Sequence, residues 1–320
     1  MTKIQETGEK VVANVERVIV GKHHEVRLAL VALMCRGHLL IEDVPGTGKT
    51  VLAKALARSL DCTFRRIQFT PDLLPSDVTG LSIYNQKTQE FEFRPGPIMA
   101  QVVLADEINR ATPKTQSSLL ECMEEHQATI DGTTYPMPDP FLVIATQNPI
   151  EYEGTFALPE AQLDRFMFKI LVDYPNFDDE LAIAETTTGG DLPTLDPLLD
   201  RAEILNLQKT VRKVLVGHSV AAYAVKLARA TRPNTPEAPD FVNKYLTWGC
   251  GTRACQALLL GAKAQALLDG RVHVSTEDIR SVARPVMRHR LVTSFSAESD
   301  GITPDHIVEK LFEAVREPLE

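Results

Sequence analysis

Apolar positions follow two regimes along this chain. Short apolar runs lie at 38–41, 101–105, 141–145 and 166–172, with a half-polar one at 63–69. Each is brief and bounded by polar or turn residues, which predicts buried strands. Between them the period lengthens to that of a helix. Ile4, Val11, Val15 and Val18 share one side of a helix over 3–18, and a second helix covers 25–35. Thr112 reads as an N-cap with Pro113 at the first helical position, opening a helix to about 125. Strands alternating with helices predict an α/β core of three layers around a parallel sheet. Two stretches break this rhythm with a period of two. Leu81 and Ile83, a polar turn over 85–89, then Phe91 and Phe93 predict one hairpin. Residues 128–135, with Asp131-Gly132 as the turn, predict another.

Past Asp173-Tyr174-Pro175 no strand is predicted. A loop holds Gly189, Gly190, Pro193 and Pro197, followed by helices over 199–212, 217–230 and 240–248. Ala254, Leu258, Ala262 and Ala266 recur every fourth residue until Gly270 ends the pattern. Ser275 and Asp278 form a capping box, and Thr303-Pro304 opens the last helix. The expected division is an α/β core over 1–174 and a small all-α domain over 175–320.

Composition narrows the class. The 320 residues carry a net charge of −9, which argues against a dedicated nucleic-acid binder. The five cysteines are odd in number and contain no C-x-x-C pair, so neither a disulfide scaffold nor a zinc site is indicated. Reduced thiols in a cytoplasmic compartment are the plain reading. No apolar run reaches the length of a membrane span, and residues 1–9 lack the apolar centre of a signal peptide.

The chemistry is densest at Ile41-Glu42-Asp43-Val44-Pro45-Gly46-Thr47-Gly48-Lys49-Thr50, between the first strand and a helix beginning near Val51. Strand, small-residue loop, Gly-Lys-Thr and helix form the layout of a phosphate-binding loop. Backbone N–H groups at the helix start face the anion, and Gly46 and Gly48 let the backbone come close. Lys49 reaches phosphate oxygens and Thr50 offers a hydroxyl to Mg²⁺. The strict pattern places a glycine where this chain has Asp43, so the loop needs support from elsewhere. Asp106 and Glu107 end the strand at 101–105. Asp106 suits Mg²⁺, and Glu107 suits a water that attacks phosphorus. Asn148 follows the strand at 141–145, where open α/β sheets bind ligands, and can hydrogen-bond both that water and a γ-phosphate. Arg165, just before the last strand, suits a finger for a neighbouring subunit's site, and Arg253 suits a reach from the helical domain back to the γ-phosphate.

Taken together these stretches resemble the AAA+ ATPases and, within them, the MoxR family. The carrying residues are Glu42 to Thr50, then Leu104-Ala105-Asp106-Glu107-Ile108-Asn109-Arg110-Ala111, then Ala145-Thr146-Gln147-Asn148-Pro149, and Leu158-Pro159-Glu160-Ala161-Gln162-Leu163-Asp164-Arg165-Phe166. The Glu-Asp-Val-Pro loop is similar to the family's own version, which accounts for Asp43.

The resemblance implies sheet order 5-1-4-3-2, a helical lid, and two hairpin inserts facing the channel of a hexameric ring. It implies ATP and Mg²⁺ as ligands, with Asp43 through Val51 around the phosphates and Val20-Gly21 against adenine. Arg253 would be its sensor 2, although Cys250-Gly251-Thr252 departs from the small-Ser-Pro run usual before it. Gln68 falls where related proteins place a residue that toggles the glutamate. The implied activity is ATP hydrolysis coupled to chaperone-like work on client complexes, often with von Willebrand factor A domain proteins. A nucleotide-gated scaffold with little turnover and a DNA-remodelling ATPase stay open as alternatives. For Arg284 to Arg290, a solvated or inter-subunit face of the lid is favoured over a phosphate-backbone contact. Arg110 is open between a subunit interface and local pairing.

Overall fold

The structure is a computed structural model and describes residues 3–44, 46–148, 154–189 and 193–318. It opens with α1 (Lys3–Glu16) and α2 (His23–Met34). Then β1 (Leu39–Asp43) leads through a loop into α3 (Lys49–Ser59). Next come β2 (Phe64–Gln68), α4 (Pro75–Thr79), and the hairpin of β3 (Gly80–Asn85) and β4 (Glu90–Pro95). After β5 (Val102–Asp106) a 3-10 turn, Ile108–Arg110, precedes α5 (Pro113–Glu125). A second hairpin, β6 (Gln127–Ile130) and β7 (Thr133–Pro136), is followed by β8 (Leu142–Gln147), α6 (Glu160–Leu163) and β9 (Phe168–Val172). The remainder comprises α7 (Phe177–Thr188), α8 (Arg201–Lys213), α9 (His218–Ala230), α10 (Asp240–Tyr245), β10 (Leu246–Trp248), α11 (Thr252–Leu268), α12 (Thr276–Met287), β11 (Val292–Thr293), α13 (Phe295–Ser299) and α14 (Pro304–Ala314).

Five strands form one parallel sheet in the order β2-β5-β8-β1-β9. Counted along the chain as core strands one to five, this is the expected 5-1-4-3-2 order. Both faces are apolar because alternate residues of each strand point to opposite sides. Leu39 and Ile41 of β1 join a core with Val11, Val26, Leu30 and Leu56. Leu40 joins the opposite core with Val103, Val143, Leu119 and Met123. The two expected hairpins form separate two-stranded units.

The C-terminal part is built around α11, which is buried nearly all round, as a helix enclosed by others must be. It packs against α1, α2, α8, α9 and α12, and α12 also lies against edge strand β9. Gly261 allows the approach, since a Cβ there would sit 3.2 Å from the ring of Phe168 in β9.

Three features differ from expectation. β10 and β11 pair antiparallel where no strand was predicted, and the helix expected over 240–248 stops at Tyr245. The ribbon is only two or three residues long with Thr247 and Trp248 exposed, so no alternation has room to show. Helix α7 was also not predicted. It buries none of its residues, so its sequence carries no apolar stripe to read.

Candidate nucleotide site

The β1–α3 loop turns through two left-handed glycines, Gly46 (φ +90°) and Gly48 (φ +86°). Neither has an atom within 4 Å of where a Cβ would stand, so backbone twist, not crowding, demands glycine. Gly48 caps α3 without any side-chain hydrogen bond, which leaves the first N–H groups of the helix open to an anion. Thr47 Oγ1 donates to the Val44 carbonyl at 3.3 Å and holds the loop. Thr50 and Val51 lie in the first turn of α3. Pro45 and the side chain of Asp43 lie outside the described residues.

Asp106 is the electrostatic centre. It is 2% exposed at the end of β5. Lys49 Nζ lies 3.4 Å from its Oδ1, and the Thr146 hydroxyl donates to the same oxygen at 2.7 Å. Arg66 donates to Oδ2 through Nε at 3.0 Å and Nη2 at 2.5 Å. Burial pushes the carboxyl's pKa up, but the bonds from Thr146 and Arg66 and the nearby Lys49 charge outweigh it, so the group sits below the usual carboxylate range. A buried, ionised carboxylate at the end of β5, with a threonine in the first turn of α3 packed on that strand, is a donor set that fits a hydrated Mg²⁺.

Glu107 adopts a left-handed conformation, φ 56° and ψ 50°, rare for a side chain of its kind. Its N–H is anchored on Thr146 Oγ1 at 2.8 Å. Its carboxylate accepts from Gln68 Nε2 at 2.8 Å and from Arg110 Nη1 at 3.0 Å. Arg110 thus makes a local pair with Glu107, one of the two options open for it. Asn148 is buried just past the end of β8. Lys49, Asp106, Glu107 and Asn148 all belong to the C-terminal end of the sheet. The adjacent cleft is lined by Ile19, Lys22, Glu25, Ile41, Leu52 and Val172 with the loop residues Thr47–Lys49. Val20 and Gly21 are not in that lining. Gly21 (φ +71°) packs so closely on Asp179 of α7 that a Cβ would meet its carboxylate at 2.1 Å.

The opposite end of the sheet holds a second cluster. Arg165 Nε lies 3.6 Å from Glu124 Oε2. Arg253, at the start of α11, donates to Glu124 and lies 3.5 Å from Asp164. The same hollow is lined by Gly37 and Met167, which precede β1 and β9. The strands are parallel, so this cluster is a strand length, about 16 Å, from the phosphate loop. The expectation that Arg253 reaches back to this chain's own γ-phosphate is therefore corrected. The helical part docks on α1, α2 and β9, which carries the N-terminus of α11 to the wrong end of the sheet.

A second correction concerns Arg284 to Arg290. Arg284 pairs with Glu309, and Arg288 pairs with Asp305 and donates to the Lys169 carbonyl of β9. His289 Nε2 bonds the Phe166 carbonyl at 3.0 Å. Arg290 is 7% exposed and grips Asp164 Oδ1 at 2.7 Å and the carbonyls of Asp164, Phe166 and Met167. Arg284 stays half exposed, while the inward-turned segment 288–290 is not a solvated face. That segment clamps the helical part onto the core.

Comparison with known proteins fits this geometry. The model of the ATPase family associated with various cellular activities (AAA) matches residues 38–168, and the AAA lid domain model matches 240–311. Chaperone MoxR1 of Mycobacterium tuberculosis is 42% identical over 312 residues, covering 98% of this chain and 82% of that protein. The chain belongs to the MoxR family of AAA+ ATPases. Protein MoxR of Paracoccus denitrificans is 33% identical over 297 residues, with 87% and 86% of the two chains covered. A candidate ATPase from Cytophaga hutchinsonii, solved as a crystal structure, superposes with a TM-score of 0.92 at 39% identity, covering 99% of this chain and 96% of that one. No helix among the described residues is long and apolar enough to cross a membrane.

Sequence reasoning missed four residues that the geometry brings forward. Thr146 lay inside a quoted motif, yet only Asn148 was given a role there. Arg66 and Glu124 had no local signal, because their partners lie 40 and 129 residues away in the chain, and the basic run that held Arg290 did not reveal its partner Asp164, 126 residues away.

Proposed function

We propose that this family member binds and hydrolyses Mg-ATP at a site completed by a second copy of the chain, and uses the cycle to remodel partner protein complexes. The observation that carries this reading is the separation of its two clusters. The open N–H groups of α3, Lys49, Asp106 and Glu107 lie at one end of the sheet, and Arg165 and Arg253 lie together at the other.

In this reading the open N–H groups of α3 and Lys49 hold the phosphates, and Thr50 and Asp106 would hold Mg²⁺. The metal, when bound, supplies charge neutralisation between the β- and γ-phosphates. Glu107, once released by Gln68, orients and polarises the attacking water, and Asn148 positions it. Arg165 and Arg253 leave Glu124 and stabilise charge on the neighbouring copy's γ-phosphate. A closed ring, six-fold by family resemblance, supplies every site with such a neighbour. The cytoplasm is the expected compartment. The remodelling role draws on the chaperone name of the Mycobacterium tuberculosis relative, and a von Willebrand factor A domain protein is the proposed partner class. The hairpins β3–β4 and β6–β7 would act on the client. Leu81, Ile83, Tyr84 and Phe91 leave the first hairpin apolar and exposed, as a client-gripping element requires.

The binding half is tested by Lys49→Ala. Its affinity for radiolabelled ATP should fall about a hundredfold, the effect of losing a charged hydrogen-bond donor. Undiminished affinity would contradict the assignment of the loop.

A further inference from the structure

We propose that Arg66 is a positioning residue that couples occupation of the metal site at Asp106 to release of Glu107. This inference rests on the Mg-ATP reading above and goes beyond it.

Three observations carry it. First, Arg66 stands on Asp106 as a counterion, with Nε and Nη2 both on Oδ2. Second, the same Nη2 donates to Gln68 Oε1 at 2.7 Å, while Gln68 Nε2 donates to Glu107 Oε2 at 2.8 Å. Arginine can only donate and a carboxylate can only accept, so a glutamine amide is the group able to bridge them in this direction. Third, the Arg66 side chain is 47% exposed while that of Asp106 is 3% exposed, so Arg66 has open solvent to move into.

The consequence is a chain of contacts, Asp106–Arg66–Gln68–Glu107, that is closed when Arg66 serves as the cation on Asp106. A divalent cation at Asp106 is a stronger counterion and repels the guanidinium. Arg66 then swings outward and Gln68 loses the bond that fixes its amide. Glu107 keeps Arg110 but loses Gln68, and its carboxylate can turn toward water. Hydrolytic competence thus waits for the metal and not for nucleotide alone.

The test is a Mg²⁺ titration of protein already holding a fluorescent ADP analogue, bound in the presence of EDTA. Arg66→Met should lower the half-saturating Mg²⁺ concentration about tenfold, within the usual range of coupling between two sites. Metal-free affinity for the analogue should stay unchanged. Gln68→Ala, which removes one of the bonds that must break, should lower the midpoint about threefold. An unchanged midpoint in Arg66→Met, with the analogue bound normally, overturns the relay and leaves the ATP-binding reading intact. A raised midpoint also overturns it, because Arg66 would then help form the metal site. An unchanged midpoint in Gln68→Ala removes the limb to Glu107. Failure of the wild type to bind the analogue would overturn both readings.

Discussion

The two ends of the parallel sheet differ in what they lack. The C-terminal end gathers open backbone N–H groups, Lys49, the buried Asp106 and the strained Glu107. Among the described residues its arginines, Arg66 and Arg110, are engaged on the two acids. The N-terminal end gathers Arg165, Arg253 and Arg290 around Glu124 and Asp164. It has the cations and no phosphate loop. Each end supplies what the other is missing, and a strand length separates them. Within one chain they cannot meet, and this is the ground for proposing a site shared between copies.

Substitutions can break this comparison at either end, and the largest effect falls on the arginines. Arg165→Ala should reduce ATP turnover by about 10³-fold or more while leaving ATP affinity near wild type. Steady-state hydrolysis together with a binding isotherm separates the two, and loss of binding in that variant would return Arg165 to the phosphate end.

Next is the clamp that presents them. Asp164→Ala strips the carboxylate from a guanidinium that is 7% exposed, and should destabilise the fold by about 3 kcal/mol. Urea denaturation measures this. A loss below 1 kcal/mol would mean that the carbonyls of Phe166 and Met167 satisfy Arg290 unaided.

The smallest effect separates the ends by pH. His38 is fully buried at the arginine end. Its Nδ1 accepts from the Val143 N–H at 3.0 Å, and its Nε2 faces the Met123 carbonyl at 3.2 Å. Only the neutral ring fits both, and burial lowers its pKa to about 3. His289 is lowered for the same first reason, helped by Arg290. The unfolded chain binds these protons from about pH 6.5 downward and the folded chain does not, so stability falls as pH drops below that value. His38 alone should contribute a loss of about 2 kcal/mol at pH 5. Asp106 shifts stability in the same direction but in a lower window. Its depressed pKa keeps it charged through this range, and its contribution is lost only as pH falls through that lower value. Denaturation midpoints should therefore fall between pH 7 and pH 5, with no contribution from Asp106 in that range. A flat stability profile would show that His38 is not held neutral.

The phosphate end was legible in sequence because it is local. Gly46, Gly48, Lys49 and Thr50 sit within five residues, and Asp106, Glu107 and Asn148 each follow an apolar run that marks a strand end. The sheet order followed from family resemblance, and the apolar runs placed its strands. The arginine end was legible only in part. Arg165 could be named from the run before β9, but the place of Arg253 depends on how α11 docks on α1 and α2, which no local pattern encodes. Arg290 was misread because a run of Arg, His and Arg usually means solvent. Its burial comes from the carbonyls of Phe166 and Met167, just before β9 and more than a hundred residues distant. The left-handed backbone of Glu107 was likewise invisible, since glutamate carries no propensity for it.

The most direct test of the shared site is subunit mixing. Lys49→Ala and Arg165→Ala chains are each expected to hydrolyse ATP at background rates. Mixed in equal amounts, they should recover a substantial share of wild-type activity. In mixed assemblies an intact phosphate loop of one copy meets an intact arginine pair of its neighbour. Activity that stays at the sum of the two separate variants would place both ends in one chain's site and contradict the account.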